Sequence, residues 1–202
     1  EIYYAVSSIG AVVHTINPRL KPDQISWMVN HAEDSFVFFD KTFAPIINSI
    51  SGKCQSVAHW ICLTNAQNLP EIDTTVIDYE SFIVNASEDI IWERFDENTA
   101  CTLCYTSGTT GNPKGVLYSH RSTVLHAMAG SFHDVIGAGS RSVILAVVPM
   151  FHVSAWGLIY SAAMIGAKLV MPGPGLDGSN MCKMIVQEKV SLMAGVPTVW
   201  LG

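Results

Sequence analysis

Positive charge is scarce in this sequence. Only 11 of the 202 residues are Lys or Arg, against 17 Asp or Glu, and the formal net charge is −6. No basic cluster occurs anywhere in the chain, whereas proteins that bind nucleic acids need one to neutralise backbone phosphates. Nucleic acid is therefore excluded as an expected partner.

Charge of either sign is also sparse. Charged residues make up 14% of the chain and hydrophobic residues 49%, while a typical soluble domain carries about 25% charged residues. The hydrophobic content excludes a disordered chain. The low charge leads us to expect apolar surface that is covered by self-association or by a further part of the protein.

Long hydrophobic runs are absent. The longest run, residues 155–167, ends at Lys168 and is shorter than the roughly 18 residues that indicate a spanning helix. No membrane span is expected, although peripheral association with a membrane stays open. Residues 1–17 lack the basic leader of a secretory signal, so the expected location is the cytoplasm.

Cysteine is too sparse and too irregular for a disulfide framework. The chain has five Cys, an odd number that suits a reducing compartment. Cys101 and Cys104 form a CxxC without a second Cys or His pair at zinc spacing, so both are expected to be packing thiols. The histidines without metal-ligand spacing are expected to be surface or packing residues; they are His14, His31, His59, His120, His126 and His133.

Helical and strand-like segments alternate along the chain after its opening stretch. The predicted helices cover residues 2–16, 21–30, 44–50, 80–85, 121–135, 153–165 and 179–189. The predicted strands cover residues 36–40, 57–63, 75–77, 99–105, 116–118, 142–148, 167–171 and 192–196, with residues 36–40 buried on both faces. Strands joined through helices favour parallel pairing with right-handed crossovers. The predicted fold class is α/β, with layered, mostly parallel sheets and flanking helices.

The stretch YTSGTTGNPKG, residues 105–115, concentrates hydroxyl groups and glycines between apolar segments. Glycines let the backbone approach a ligand closely, and hydroxyl, amide and ammonium groups all donate hydrogen bonds to phosphate oxygens. The residues expected to bind a polyphosphate are Thr106, Ser107, Gly108, Thr109, Thr110, Gly111 and Lys114. The spacing differs from the P-loop pattern GxxxxGK(S/T), because Pro113 and Gly115 occupy two of its required positions.

Three stretches carry a family resemblance. YTSGTTGNPKGV resembles the phosphate-loop signature of the adenylate-forming (AMP-binding) superfamily, which includes acyl-CoA synthetases, luciferases and peptide-synthetase adenylation domains. VVPMFHVSAWG, residues 147–157, resembles the segment in which an aromatic–histidine pair borders the carboxylate substrate. GAVVHTINPRL with the following HAED, and AGVPTVW at residues 194–200, are similar to the fatty acyl-CoA synthetase branch.

The resemblance implies a medium- or long-chain fatty acid–CoA ligase. In that family ATP and a fatty acid give acyl-adenylate and pyrophosphate, and the acyl group then passes to the thiol of coenzyme A. Residues 106–111 would hold the β- and γ-phosphates, with Thr109 as the loop hydroxyl nearest Mg²⁺. Lys114 would neutralise the developing charge, and Lys114, Thr109 and His152 are the expected catalytic residues.

The resemblance also implies an acyl site. His152 would hydrogen-bond the substrate carboxylate or an α-phosphate oxygen. Trp156, one helical turn later, would line or gate an acyl tunnel whose wall includes Gly195 and Val196. For both His152 and Trp156 the alternative is an ordinary packing role in the core.

Two other functions stay open. The first is another adenylate-forming enzyme, such as an aryl-CoA ligase, a luciferase-like enzyme or an amino-acid activator, although MFHVSAWG lacks the Asp expected of the last. The second is a non-catalytic nucleotide-binding module that has kept the loop.

Several motifs of the family do not occur in residues 1–202. They are the Thr-Glu pair of the adenine and Mg²⁺ site, the ribose-binding Asp, the hinge and the small C-terminal domain with its own lysine. The sequence therefore predicts an incomplete N-terminal AMP-binding domain over residues 1–202, without a C-terminal domain.

The isolated 202-residue chain is expected to be inactive, because the groups that hold adenine and ribose are missing from it. The measurement is pyrophosphate release from ATP, Mg²⁺ and a panel of fatty acids, with a complete fatty acid–CoA ligase as the positive control. Release above the background rate would contradict the expectation.

Overall fold

The computed structural model describes residues 1–87, 89–106 and 112–200. Its helices are α1 (Ile2–Ser8), α2 (Pro22–His31), α3 (Ala44–Ile50), α4 (Tyr79–Ile83), α5 (His120–Gly130), α6 (Val153–Trp156), α7 (Leu158–Ile165), α8 (Gly178–Glu188) and α9 (Pro197–Trp200). Its strands are β1 (Val13–Thr15), β2 (Phe36–Phe39), β3 (His59–Cys62), β4 (Val76–Asp78), β5 (Ala100–Thr106), β6 (Lys114–Ser119), β7 (Val143–Ala146), β8 (Lys168–Val170) and β9 (Leu192–Ala194). Within these ranges no helix combines the length and apolar character that a membrane crossing requires.

The strands form three three-stranded sheets, with orders β1-β5-β6, β2-β3-β4 and β8-β7-β9. The pairs β1–β5, β2–β3, β3–β4, β7–β8 and β7–β9 are all parallel. Parallel neighbours need crossover connections, which the intervening helices supply. The predicted α/β class with mostly parallel sheets and flanking helices is confirmed.

The chain divides into two compact units. One contains residues 1–15, 95–104 and 117–202, and is called the discontinuous unit. The other contains residues 16–94 and 105–116, and is called the inserted unit.

The inserted unit is built on the sheet β2-β3-β4. Helix α2 begins with Pro22 in its first turn and buries Ile25, Met28 and Val29. Proline suits this position because its fixed φ matches the helix and the missing N–H would have no intrahelical partner there. These residues pack with Trp60 of β3 and with α3 in one apolar cluster.

The discontinuous unit is built on β7, the central strand of the sheet β8-β7-β9. Ile144 and Ala146 belong to a cluster with residues of α7, whereas Leu145 belongs to a second cluster that contains Met181 of α8. Successive side chains of a strand point to opposite faces. Strand β7 is therefore covered by helices on both faces, as expected for a buried parallel sheet.

The predicted helix over residues 2–16 is wrong. Helix α1 ends at Ser8, the chain turns at Ile9 and Gly10, and β1 follows at Val13–Thr15. The β-branched residues of this segment favour a strand, and β1 gains a parallel partner in β5, with Val13 opposite Thr102. Pairing with β5 therefore makes Val13–Thr15 a strand, although the apolar composition of residues 2–16 predicts a helix.

Three further predictions need correction. Strand β2 is not buried on both faces, because the side chain of Phe36 is left 48% exposed. Helix α5 ends at Gly130 rather than at residue 135, since Gly130 and Ser131 are weak helix formers. The helix predicted over residues 153–165 is interrupted at Gly157, as described below.

Replacing Ile61 with Ala should destabilise the inserted unit. Ile61 lies in the central strand β3 and is 0% exposed, so the lost methyl groups leave a cavity that costs about 2–5 kcal/mol in the free energy of unfolding. Phe36→Ala in the neighbouring edge strand is the control and should cost less, because its side chain is half exposed. Denaturant titration measures both; an equal loss would contradict the assignment of the core.

Candidate functional site

The hydroxyl-rich loop begins where strand β5 ends, at Thr106, and the chain re-enters a strand at Lys114. Thr106 Oγ1 donates a long hydrogen bond of 3.4 Å to the backbone carbonyl of Lys114. The two residues thus lie together at the base of the loop. The predicted phosphate ligands Ser107, Gly108, Thr109, Thr110 and Gly111 lie outside the described residues.

Lys114 is exposed at the start of β6. In the described part of the chain no carboxylate lies within ion-pair distance of its amino group; the described ion pairs are Asp23–Lys53, Glu97–Arg121 and Lys168–Glu188. An ammonium group without a carboxylate partner can bind an anionic ligand and loses no ion pair on doing so. The phosphate contact of Lys114 stays a prediction.

The segment after His152 has an unusual backbone. Val153, Ser154, Ala155 and Trp156 all have positive φ, between 48° and 58°. Helix α6 is therefore a single left-handed turn, and α7 starts only after Gly157. Left-handed geometry costs an L-residue roughly 1–2 kcal/mol, which is why a right-handed helix over residues 153–165 was the sequence-based expectation.

Side chains from distant parts of the same unit fix the carbonyl groups around this turn. The Tyr3 hydroxyl donates to the Met150 carbonyl at 2.9 Å, and Thr15 Oγ1 donates to the Phe151 carbonyl at 3.0 Å. On the other side, His126 Nε2 lies 3.1 Å from the Trp156 carbonyl oxygen. Backbone strain persists in a protein where the surroundings over-determine it, and these contacts provide that constraint.

Gly157 is required where the left-handed turn joins α7. Its φ is +71°, and a Cβ atom built on it would lie 2.6 Å from Cδ2 of His126. A side chain at position 157 would therefore be strained and would also displace the histidine that contacts the Trp156 carbonyl.

The turn presents two of the predicted site residues. The side chain of His152 is exposed, and its backbone N–H donates to the Pro149 carbonyl at 3.1 Å. Trp156 is 39% exposed. Neither residue is a buried core residue, so the packing alternative for this pair is disfavoured.

An apolar cavity of about 370 Å³ lies beside Trp156. Its wall also contains Leu158, Leu192 and Gly195. Trp200 also lines the cavity, and its indole N–H donates to the Gly195 carbonyl at 3.2 Å. The structure thus brings Trp156 and Gly195 together, whereas His152 and Val196 are not among the residues that line this cavity.

Sequence reasoning missed the residues that hold the turn. His126 was expected to be a surface or packing histidine, and Tyr3 and Thr15 were placed in a helix. Their partners lie 30, 147 and 136 residues away, so no local spacing signals the contacts. The packing role of the CxxC is supported, since Cys101 and Cys104 are both buried free thiols.

Gly157→Ala should lower the free energy of unfolding by roughly 1–3 kcal/mol, because it forces an alanine into left-handed geometry against His126. In a His126→Ala background the substitution should cost less, since the clash is removed. Gly178→Ala is the matched control, because a Cβ there meets nothing within 4 Å. Thermal unfolding measures the series; an equal effect at positions 157 and 178 would contradict the turn geometry.

Comparison with known proteins places the chain in a family. The family model described as AMP-binding enzyme matches residues 1–202. The chain is 54% identical over 203 residues to the medium-chain-fatty-acid–CoA ligase of Ectopseudomonas oleovorans, covering 100% of this chain and 37% of that protein. It is 50% identical over 204 residues to the 3-methylmercaptopropionyl-CoA ligase of Ruegeria lacuscaerulensis, covering 100% of this chain and 38% of that protein. The chain thus spans little more than a third of the length of these curated relatives.

A solved structure gives the same result. The inhibitor-bound N-terminal domain of FACL13 from Mycobacterium tuberculosis superposes with a TM-score of 0.82 at 29% sequence identity, covering 98% of this chain and 46% of that chain. The fold, the two motif-bearing segments and the match over the full sequence agree, and the chain belongs to the AMP-binding enzyme family.

Proposed function

We propose that the chain is the phosphate- and carboxylate-binding part of an ATP-dependent fatty acid–CoA ligase. The proposal rests on the family and on a relative named as a medium-chain-fatty-acid–CoA ligase, of which the chain covers 37%. In the reaction, a carboxylate oxygen attacks the α-phosphorus of ATP and pyrophosphate leaves. The thiol of coenzyme A then attacks the acyl carbon, AMP leaves and the thiol proton passes to solvent or a base.

The observation that carries the proposal is the exposed amino group of Lys114 at the base of the loop. Attack on the α-phosphorus brings negative charges together, so a fixed cation beside the phosphates stabilises the transition state. Thr106 adds a hydroxyl next to this cation, and its hydrogen bond to the Lys114 carbonyl holds the two strands of the loop base together. Lys114 and the loop residues 106–111 are the proposed ATP ligands.

Magnesium is the proposed cofactor. Among the described residues no group of three His, Cys, Asp or Glu could hold a metal ion. In a nucleotide site Mg²⁺ keeps several waters and is bound largely through substrate phosphates. The Thr109 hydroxyl is the proposed protein contact. When bound, the ion neutralises charge on the phosphate oxygens.

The segment around the left-handed turn is the proposed carboxylate and acyl site. His152 is exposed beside a backbone that is fixed on both sides, so its imidazole can hold a substrate carboxylate or an α-phosphate oxygen in one orientation. The apolar cavity at Trp156 and Gly195 suits the acyl chain, and Val196 is proposed to extend its wall.

A medium- or long-chain fatty acid is the proposed substrate. The 50% identity to a 3-methylmercaptopropionyl-CoA ligase makes a short thioether acid the second candidate. Both acids present an apolar tail and a carboxylate, so the wall of the cavity does not distinguish them. An activity panel on the complete protein distinguishes them.

The domain proposal follows from the same comparison. Residues 1–202 would form an incomplete N-terminal AMP-binding domain, with the adenine, ribose and coenzyme A sites outside these residues.

Five free thiols, four of them buried, suit a reducing compartment such as the cytoplasm. Exposed apolar side chains such as Ile91 and Trp92, at 87% and 66%, support self-association or contact with the rest of the protein.

Lys114→Ala should weaken the binding of ATP in the presence of Mg²⁺. Each charge-assisted hydrogen bond that is lost costs about 1.5–3 kcal/mol, which corresponds to a roughly 10- to 150-fold rise in Kd. Lys183→Ala on α8 is the matched control, because Lys183 is likewise exposed and takes part in none of the described ion pairs. Isothermal titration calorimetry measures all three proteins; equal affinity of wild type and Lys114→Ala would remove Lys114 from the site.

A further inference from the structure

Tyr105 lies directly before the base of the phosphate loop. It precedes Thr106, the residue that hydrogen-bonds the Lys114 carbonyl. Its ring packs on the apolar core of the inserted unit. A displacement of Tyr105 is therefore transmitted directly to Thr106 and to the start of the loop.

A histidine from another element holds the Tyr105 hydroxyl. His31 is the last residue of α2, and its Nδ1 lies 2.7 Å from the Tyr105 hydroxyl oxygen. Burial, followed by the negative charge of Asp34, raises the pKa of Tyr105. The hydroxyl therefore stays protonated at neutral pH and can donate to Nδ1.

Trp27 supports this contact from one helical turn earlier. Its ring stacks on His31 at a centroid distance of 4.5 Å and an interplanar angle of 23°. It also meets the Tyr105 ring edge-on at 6.2 Å. Because Ile25, Met28 and Val29 anchor α2 in the core, the three rings form a fixed support, here called the aromatic clamp and defined as Trp27, His31 and Tyr105.

The clamp is suited to a positioning role rather than to a stabilising one. His31 is exposed, and a hydrogen bond at the surface exchanges with water at little net cost in folding free energy. Ligand binding is more sensitive, because a binding group that shifts by about 1 Å is no longer in productive geometry.

We propose that His31 is a positioning residue for the phosphate loop, acting through the Tyr105 hydroxyl to fix the Thr106–Lys114 base at which ATP binds. The inference rests on the proposed function of that loop. His31, at the end of α2, would then affect the Kd of ATP although it lies outside the loop motif.

Two complementary substitutions separate the hydrogen bond from the ring stacking. His31→Phe keeps a ring on Trp27 and removes the nitrogen. His31→Asn removes the ring and keeps a polar atom as many bonds from Cα as Nδ1, so it can still reach the Tyr105 hydroxyl. Tyr105→Phe and the double variant His31→Phe/Tyr105→Phe complete a mutant cycle.

The measurement is the Kd of ATP in the presence of Mg²⁺ for the 202-residue chain, together with the thermal unfolding midpoint of each variant. His31→Phe and Tyr105→Phe should each raise Kd by about 2- to 12-fold, because only a fraction of the molecules would then hold the loop base in its binding geometry. The double variant should be no weaker than either single variant. His31→Asn should restore most of the affinity, and the unfolding midpoints should change little.

His59→Phe is the matched control, because His59 is also an exposed histidine whose ring lies against an aromatic ring, that of Phe36 at 4.9 Å. It should leave Kd unchanged. If wild type binds ATP and Lys114→Ala weakens binding, but His31→Phe binds as wild type does, the role of His31 is overturned and the proposed function stands. Additive effects in the double variant, or no rescue by His31→Asn, would also overturn it. If wild type itself fails to bind ATP, the proposed phosphate contact at this loop base fails and this inference fails with it.

Discussion

The backbone between His152 and Gly157 turns with the hand that L-amino acids disfavour, and the candidate carboxylate site depends on that turn. Four successive residues in left-handed geometry cost several kcal/mol in sum if each costs roughly 1–2. Hydrogen bonds to the carbonyls of Met150, Phe151 and Trp156 hold the segment from both sides. The strain thus lies in the backbone, while the side chains of His152 and Trp156 remain exposed and free to meet a substrate.

The phosphate loop is proposed to bind its ligand through a different kind of interaction. Its donors are small groups on a glycine-rich backbone, and the described cation, Lys114, stands at its base rather than in a basic patch. A chain with a net charge of −6 repels a nucleotide at long range. The proposed affinity for ATP would therefore come from short, directed contacts, in which the placement of Thr106 and Lys114 matters more than the overall charge of the surface.

Part of the fold could be predicted from the sequence and part could not. Helix α3 covers the predicted residues 44–50, because Pro45 marks its start and Ile47 and Ile50 recur at helical spacing. Strand β5 was predictable from its apolar run, whereas the phosphate role of the loop after it stays a prediction, because residues 107–111 lie outside the described residues. Strand β1 was not, because what makes it a strand is its pairing with β5, more than 80 residues later in the chain.

The candidate site, like the fold, could be predicted from the sequence only in part. The residue types of the loop point to phosphate binding without any structure, whereas the carboxylate role of the His152 segment is implied only by its resemblance to the AMP-binding family. The left-handed turn has no local sequence signal apart from Gly157, since Val153 to Trp156 would suit a right-handed helix equally well. The contacts that select the turn, and the contact between His31 and Tyr105, join residues 30 to 147 positions apart. Only the tertiary structure brings such partners together.

The hydroxyl groups of α1 and β1 have a consequence for biosynthesis. Tyr3, Tyr4 and Thr15 are synthesised before the carbonyls that they bind, which belong to residues 136 to 155 positions later in the chain. At ordinary rates of translation this delay is on the order of ten seconds. During that interval the three hydroxyl groups lack these carbonyl partners, and contacts of such high sequence separation form slowly. The hydrogen bonds that hold the His152 segment therefore form only after both partners have been synthesised, so local folding alone does not give this segment its native geometry.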